Sequence, residues 1–388
     1  MNETLKQVLE CTKQALAKNS FNARIFDERL FYQIAREGGL SGLFYPVINK
    51  DNLSNQLQTL LQKDFYGFNT RDAKQTAIIT HIKAVFNTHQ IKHVLLKGSY
   101  YKTLYPESYM RSMGDIDILI EKDNLERADI QLKSIGFKLT SKGHYDYHYT
   151  HDNGLWLELH YHLIDYNNEH YIDYFNHPFD NVYQVTDDTY QFNPVYELMY
   201  YLFHTNKHFK SSGVGLRTIL DLSIWMNHHH STLDIDALKQ ALKMTQFDQL
   251  FKNLMILTQR YFDTKPPTAF NKDTVMSNDL FNTLTDYIVT SGVHGNGMHF
   301  NYFLGRLSLS KNKKTFLLTI IFPPLNAMRI LYPILHKHPY LLPITWCMRI
   351  GSRLIKSPKL MVQKLKQTRI DETTIETTQN LYKELGIR

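Results

Sequence analysis

The chain has 388 residues, 43% hydrophobic and 21% charged, which places it among globular proteins with room for two or three domains. Its 17 Gly and 12 Pro exclude collagen-like and low-complexity classes. Two cysteines, Cys11 and Cys347, are too few for a disulfide framework or a cysteine-based zinc site and fit a reducing, cytoplasmic setting. The net charge of +7 is concentrated: residues 311–388 carry 14 Lys+Arg against 4 Asp+Glu, leaving 30 against 33 in the rest. Such a block either attracts something anionic (nucleic acid, a membrane surface, a polyphosphate substrate) or is a solvated helical face.

The opening MNETLKQVLECTKQALAK has no apolar stretch of the signal-peptide kind and reads as an amphipathic helix, with Leu5, Val8, Leu9, Thr12 and Leu16 at helical spacing. Residues 1–88 form a helical segment, broken near GGLSGLFYP (38–46), that continues through Leu57, Leu60, Leu61 and Phe65 to a helix over 76–89. Between 89 and 192 the pattern changes to short apolar runs bounded by turns. IKHVLLKG (91–98) and DIDILIEK (115–122) read as strands, NLERADIQLKSIG (124–136) as a helix stopped by Gly136, and FKLTSK, HYDYHYTH and LWLELHYHL as three more strands, with a turn at Asp152-Asn153-Gly154. This order implies a small mixed sheet with helices on one face. Residues 193–310 return to helix, and 311–388 form a basic, aromatic-rich helical tail. The longest uncharged apolar stretch, Thr315 to Met328, covers 14 residues and contains Pro323-Pro324, short of the roughly 20 that a spanning helix needs.

The chemistry concentrates in Leu96-Lys97-Gly98-Ser99 and Asp115-Ile116-Asp117-Ile118. Alternate residues of a strand share a face, so Asp115 and Asp117 project together and Ile116 and Ile118 to the other side. Paired carboxylates repel unless a cation lies between them, and Mg²⁺ takes hard oxygen ligands together with a substrate phosphate. Gly98 permits close approach of the backbone to that phosphate, and Ser99 adds a hydroxyl and an N–H. Glu158 is the candidate third carboxylate, on a strand face shared with Trp156 and His160 and opposite Leu155, Leu157 and Leu159. His204, Lys207 and His208 span one helical turn, and Arg217 with Asp221 stands at i, i+4. Lys207 and Arg217 either contact a nucleotide or belong to the structure of the helices, Arg217 through a pair with Asp221. His148, His151, His160 and His162, interleaved with Tyr, read as sheet residues rather than zinc ligands.

The segment KGSYYKTLYPESYMRSMGDIDILI, with LELHYHL, resembles the DNA polymerase β-like nucleotidyltransferase superfamily, whose signature is h-G-[GS] followed by D-h-[DE]-h. It is more closely similar to an uncharacterised bacterial branch carrying LLKG, LYP, DIDLLV and ELHW motifs. HTNKHFKSSGVGLRTILDL is similar to that branch's helical region, and FPPLNAMRILYPI more loosely so. The resemblance implies an α+β fold, a small mixed-sheet core between helical N-terminal and C-terminal segments. It also implies two-metal transfer of a nucleoside monophosphate from an NTP, ATP among them, to an acceptor hydroxyl or phosphate with release of pyrophosphate.

In that reading Mg²⁺ (or Mn²⁺) is held by Asp115, Asp117 and Glu158. Glu158 also orients or deprotonates the acceptor, and Gly98 and Ser99, with Lys97, hold the triphosphate. The loop before Asp115 brings Arg111 to phosphate, and Lys207 and Arg217, on later helices, contact the nucleotide. The acceptor is left open among a small molecule, a sugar intermediate, a protein side chain and an RNA end. Two readings compete: a catalytically silent nucleotide-binding protein of the same fold, against which three clustered carboxylates argue, and a membrane-surface accessory protein in envelope polymer synthesis. The expected location is cytoplasmic, peripheral to the membrane if the basic tail meets an anionic lipid surface.

Overall fold

The computed structural model describes residues 2–165, 169–267, 270, 276–292, 302–310, 313–356 and 371–387. The basic stretch 357–370 of the expected tail lies outside the described residues. The fold is α+β, with helices at both ends of the chain and one seven-stranded mixed sheet. In chain order the strands are β1 (His93–Leu96), β2 (Asp115–Ile120), β3 (Phe137–Lys142), β4 (Asp146–His151), β5 (Trp156–His160), β6 (Val182–Thr186) and β7 (Thr189–Phe192). Across the sheet they run β3-β4-β5-β2-β1-β7-β6. β2 pairs antiparallel with β1 and parallel with β5, so Asp117 faces Leu96 on one side and Glu158 on the other. A hairpin of β6 and β7 extends the five anticipated strands, β7 running parallel to β1.

Period-two alternation sends the two halves of β2 into different cores. Ile116, Ile118 and Ile120 join Leu155, Leu157 and Leu159 under two helices. The first, Asn55–Thr88, contributes Ile78, Ile79, Ile82 and Phe86 at helical spacing; the second, Leu125–Ser134, contributes Ala128 and Leu132. The opposite face is covered as well, which corrects the expectation of helices on one face. Val94, Leu96 and Leu119 make that face apolar beyond the aspartates, and they share a cluster with helices Pro194–Ser211 and Leu216–His229. Helix Pro194–Ser211 buries side chains all round its axis, because it lies between the sheet and other helices. The same cluster takes in the N-terminal helices, through Val8, Phe31 and Leu61, and the closing helix Glu372–Leu385, through Leu381 and Tyr382.

β1 is shorter than expected because the chain turns at Lys97, whose φ is +47°, into the short helix Lys97–Tyr101. That backbone region is costly for a residue with a side chain, so the surroundings must hold it. Cys11 and Cys347 are both free thiols, and among the described residues no helix is long and apolar enough to cross a membrane.

Ile118 is fully buried between β2 and the two helices beneath it. Ile118→Ala is expected to cost ~2–5 kcal/mol through lost transfer energy and the cavity left behind, read as a fall in the urea midpoint of unfolding.

Candidate active site

The carboxylates of β2 and β5 open into a cavity of about 320 Å³ roofed by helix Pro194–Ser211. Because Asp117 and Glu158 are direct partners across parallel strands, their side chains emerge side by side. His160, two residues on from Glu158, shares that face. Ligand atoms of Asp117, Glu158 and His160 lie within 4.8 Å of one another. Lys97, leaving β1 beside Asp117, puts its ammonium between the acids: Nζ is 2.6 Å from Asp117 Oδ1 and 3.6 Å from Glu158 Oε2. His160 Nε2 is 3.1 Å from Asp117 Oδ1 and 3.4 Å from Glu158 Oε2.

The charges are strongly coupled. Burial alone would raise the Asp117 pKa, but the Lys97 ammonium and His160 outweigh it and hold this carboxyl far below the usual range. Burial disfavours the Lys97 charge too, and Asp117 reverses this, lifting Lys97 well above its ordinary value. His160 is raised: burial and Lys97 oppose its charge, and its bonds to Asp117 and Glu158 prevail. Glu158 is lowered against burial, chiefly by His160. Partial burial, then the charges of Asp117 and Glu158, push half-buried Asp115 up to about 6.

The other expected residues fall as follows. Gly98 borders the cavity, and a Cβ there would come within 2.5 Å of Arg111 Nη1, so the missing side chain makes room for that guanidinium. Ser99, expected to hold phosphate, is turned inward. Its hydroxyl accepts from the Asp117 N–H at 3.0 Å, which fixes the backbone that carries the central carboxylate. Arg111 grips Asp221, with Nη2 at 2.9 Å from Oδ2 and Nε at 3.3 Å from Oδ1, while the Tyr105 hydroxyl donates to Asp221 Oδ1 at 2.7 Å. Asp221, read as a possible i, i+4 partner of Arg217, therefore serves the loop before β2. Arg217 donates from Nη1 to Ser112 O at 2.8 Å, and burial, then Arg111, lowers it to about 10. Lys207 reaches the cavity, its ammonium 5.9 Å from the centre of the Tyr145 ring, and burial followed by Lys97 lowers its pKa. His204 stacks on His208 with ring centroids 4.4 Å apart, and burial pushes it well below its ordinary value, so its imidazole is neutral.

Sequence reasoning passed over three participants. His160 was read as a sheet residue, although its shared face with Glu158 was the available signal. His148, on the neighbouring strand, places Nδ1 3.6 Å from Glu158 Oε1 and Nε2 3.2 Å from the buried Asp146. Glu197 lines the cavity from helix Pro194–Ser211, and nothing in its local sequence marks it.

Residues 25–263 match a family described as an uncharacterised nucleotidyltransferase, and they make up more than half of the chain. The chain belongs to that family. No curated protein and no solved structure matches it. For this nucleotidyltransferase family member a divalent cation is the usual companion, and the donor set fits one. Two carboxylate groups and an imidazole converge, Asp117 is held ionised, and a cationic group already stands against both acids.

Two outcomes follow from the charges. Arg111→Ala leaves Asp221 buried beside Tyr105 without its ion-pair partner, and is expected to cost ~3–5 kcal/mol in urea unfolding. Burial lifts Glu197 from its ordinary 4.5 to about 8. The folded state therefore holds a proton that the unfolded chain releases, so this stability is complete below 4.5 and lost as pH rises through 8. Glu197→Gln removes that loss, and thermal melts are expected to show the variant gaining on the wild type from pH 5 to pH 8.

Proposed function

We propose that this protein transfers a nucleoside monophosphate from an NTP to an acceptor hydroxyl or phosphate and releases pyrophosphate, in the manner of polymerase β-like nucleotidyltransferases. The observation that carries the proposal is the register of β2 on β5, which sets Asp117 against Glu158 with His160 beside them at the wall of a charged cavity. Asp117 and Glu158, with Asp115 next to them on the β2 face, are the groups that would hold Mg²⁺ or Mn²⁺. Bound there, the cation would supply charge neutralisation for the triphosphate as its bridging bond breaks.

The chain's own groups do the rest. Lys97 supplies a positive charge at the carboxylates, and release from Asp117 would let it reach a phosphate oxygen. Ser99 is a positioning residue for Asp117, and Gly98 keeps the cavity floor open for Arg111. Glu158 orients the acceptor and accepts its proton. Lys207 from the helical roof and Arg217 from helix Leu216–His229 would face the nucleotide, and a cavity of this size accommodates one nucleotide-sized ligand. The acceptor class remains the small molecule, sugar, protein or RNA end of the sequence reading.

Thermal melts with each of the four NTPs, with and without Mg²⁺, test the donor site. A Mg²⁺-dependent rise with at least one NTP is expected, and it should vanish in Asp117→Asn/Glu158→Gln, because a ligand stabilises only the state that binds it. No rise with any NTP would contradict the proposal. A rise without pyrophosphate release in the presence of candidate acceptors would favour the catalytically silent reading.

A further inference from the structure

From Tyr287 to Ile370 the chain contains no Asp or Glu and has 13 Lys+Arg. Within that stretch residues 313–356 fold into helices Lys313–Ile321, Leu325–Leu331 and Leu342–Lys356, joined by short turns. The unit has its own internal ties. The Trp346 indole N–H donates to Pro323 O at 2.9 Å, and its ring meets Phe322 with centroids 5.2 Å apart. Arg349 Nη1 donates to Ile320 O and Ile321 O at 3.1 and 3.3 Å, which pins the last helix across the end of the first. Phe316 is buried against Leu307 and Ile375, joining the unit to the body of the protein.

This unit exposes more large apolar side chains for its length than the rest of the described surface. Eight of the sixteen exposed large hydrophobic side chains among the described residues fall in it. Leu318, Ile344 and Met348 are each 57% exposed, and Ile344 and Met348 lie one turn apart on the flank away from Trp346 and Arg349. Exposed aliphatic residues this frequent in one short segment mark an interaction surface. Lys337 is exposed in the turn before the last of these helices, and Arg329 and Arg349 are half-buried within the same unit.

We propose that residues 313–356 form a surface that lies on an anionic lipid bilayer, with the aliphatic side chains among the headgroups and acyl ends and the basic residues on lipid phosphates. A nucleic acid would use the cations and leave the aliphatic side chains in water, whereas a lipid surface takes both. None of the three helices exceeds 15 residues, so the unit rests on a bilayer rather than spanning it. The proposal stands independently of nucleotidyl transfer, and its test does not use activity.

The test is flotation of the full-length protein with vesicles of phosphatidylcholine alone or mixed with phosphatidylglycerol. Binding to the mixed vesicles, weakening with salt, is expected. Ile344→Asp/Met348→Asp and, separately, Leu318→Asp should lower the affinity about tenfold or more without moving the thermal midpoint. No binding to mixed vesicles at low salt would overturn the proposal, as would binding that the variants leave unchanged. Loss of self-association in the variants, with no vesicle binding by the wild type, would assign the face to a second copy of the chain. RNA binding insensitive to the variants, again without vesicle binding, would assign the basic residues to nucleic acid.

Discussion

A carboxylate as buried as Asp117 survives ionised only if cations are delivered to it, and the pairing of β1, β2 and β5 makes that delivery. Leu96 is the β1 partner of Asp117, so the next residue, Lys97, emerges at its side. Glu158 is the β5 partner, so His160, two residues later on the same face, arrives as well. Sliding β2 by one residue would turn Asp117 into the apolar layer of Ile118 and Leu157 and expose the isoleucines to the cavity. The apolar pattern beneath the sheet therefore enforces the charged pattern above it. The unusual backbone of Lys97 is held in place by the same pair of contacts.

The site that results is balanced rather than simply acidic. Asp115, Asp117 and Glu158 face Lys97 and His160, while Arg111 is occupied by Asp221 and His204 is neutral. In the proposed reaction a triphosphate would bring several negative charges and call for cations that can change partner. Lys97 would suit that role because its partners are the groups that would hold the divalent ion. Membership of the nucleotidyltransferase family and this arrangement of charges point to the same chemistry by separate routes.

Much of the core of the site was legible because strand alternation is a local property. The faces of β2 and β5, with the aspartates and Glu158 opposite Ile116, Ile118, Leu157 and Leu159, follow from spacing alone and are found in the structure. Gly98 was legible as a point of close approach at the end of β1, but the turn itself falls one residue earlier, at Lys97, and the group that approaches Gly98 is the Arg111 guanidinium. What was not legible depends on chain segments that meet only after folding. Arg111 and Asp221 are 110 residues apart, and no local pattern announces their pair. The inward hydroxyl of Ser99 is set by the distance between β1 and β2, and the roof that brings Glu197 and Lys207 to the cavity is set by helix packing. The helices on the second face escaped notice because only Val94, Leu96 and Leu119 make it apolar, and they alternate with residues that serve the first.

The central claim is that the Asp117 carboxylate is the cation site on which a nucleotidyl transfer would rest, with Lys97 as its resident counter-charge. Mn²⁺ titration followed by electron paramagnetic resonance, on wild type, Asp117→Asn and Lys97→Met, tests it most directly. Binding by the wild type, lost in Asp117→Asn and tightened in Lys97→Met as the competing ammonium is removed, is the predicted result. Mn²⁺ binding unchanged by Asp117→Asn, or no binding by any of the three proteins, would contradict the account.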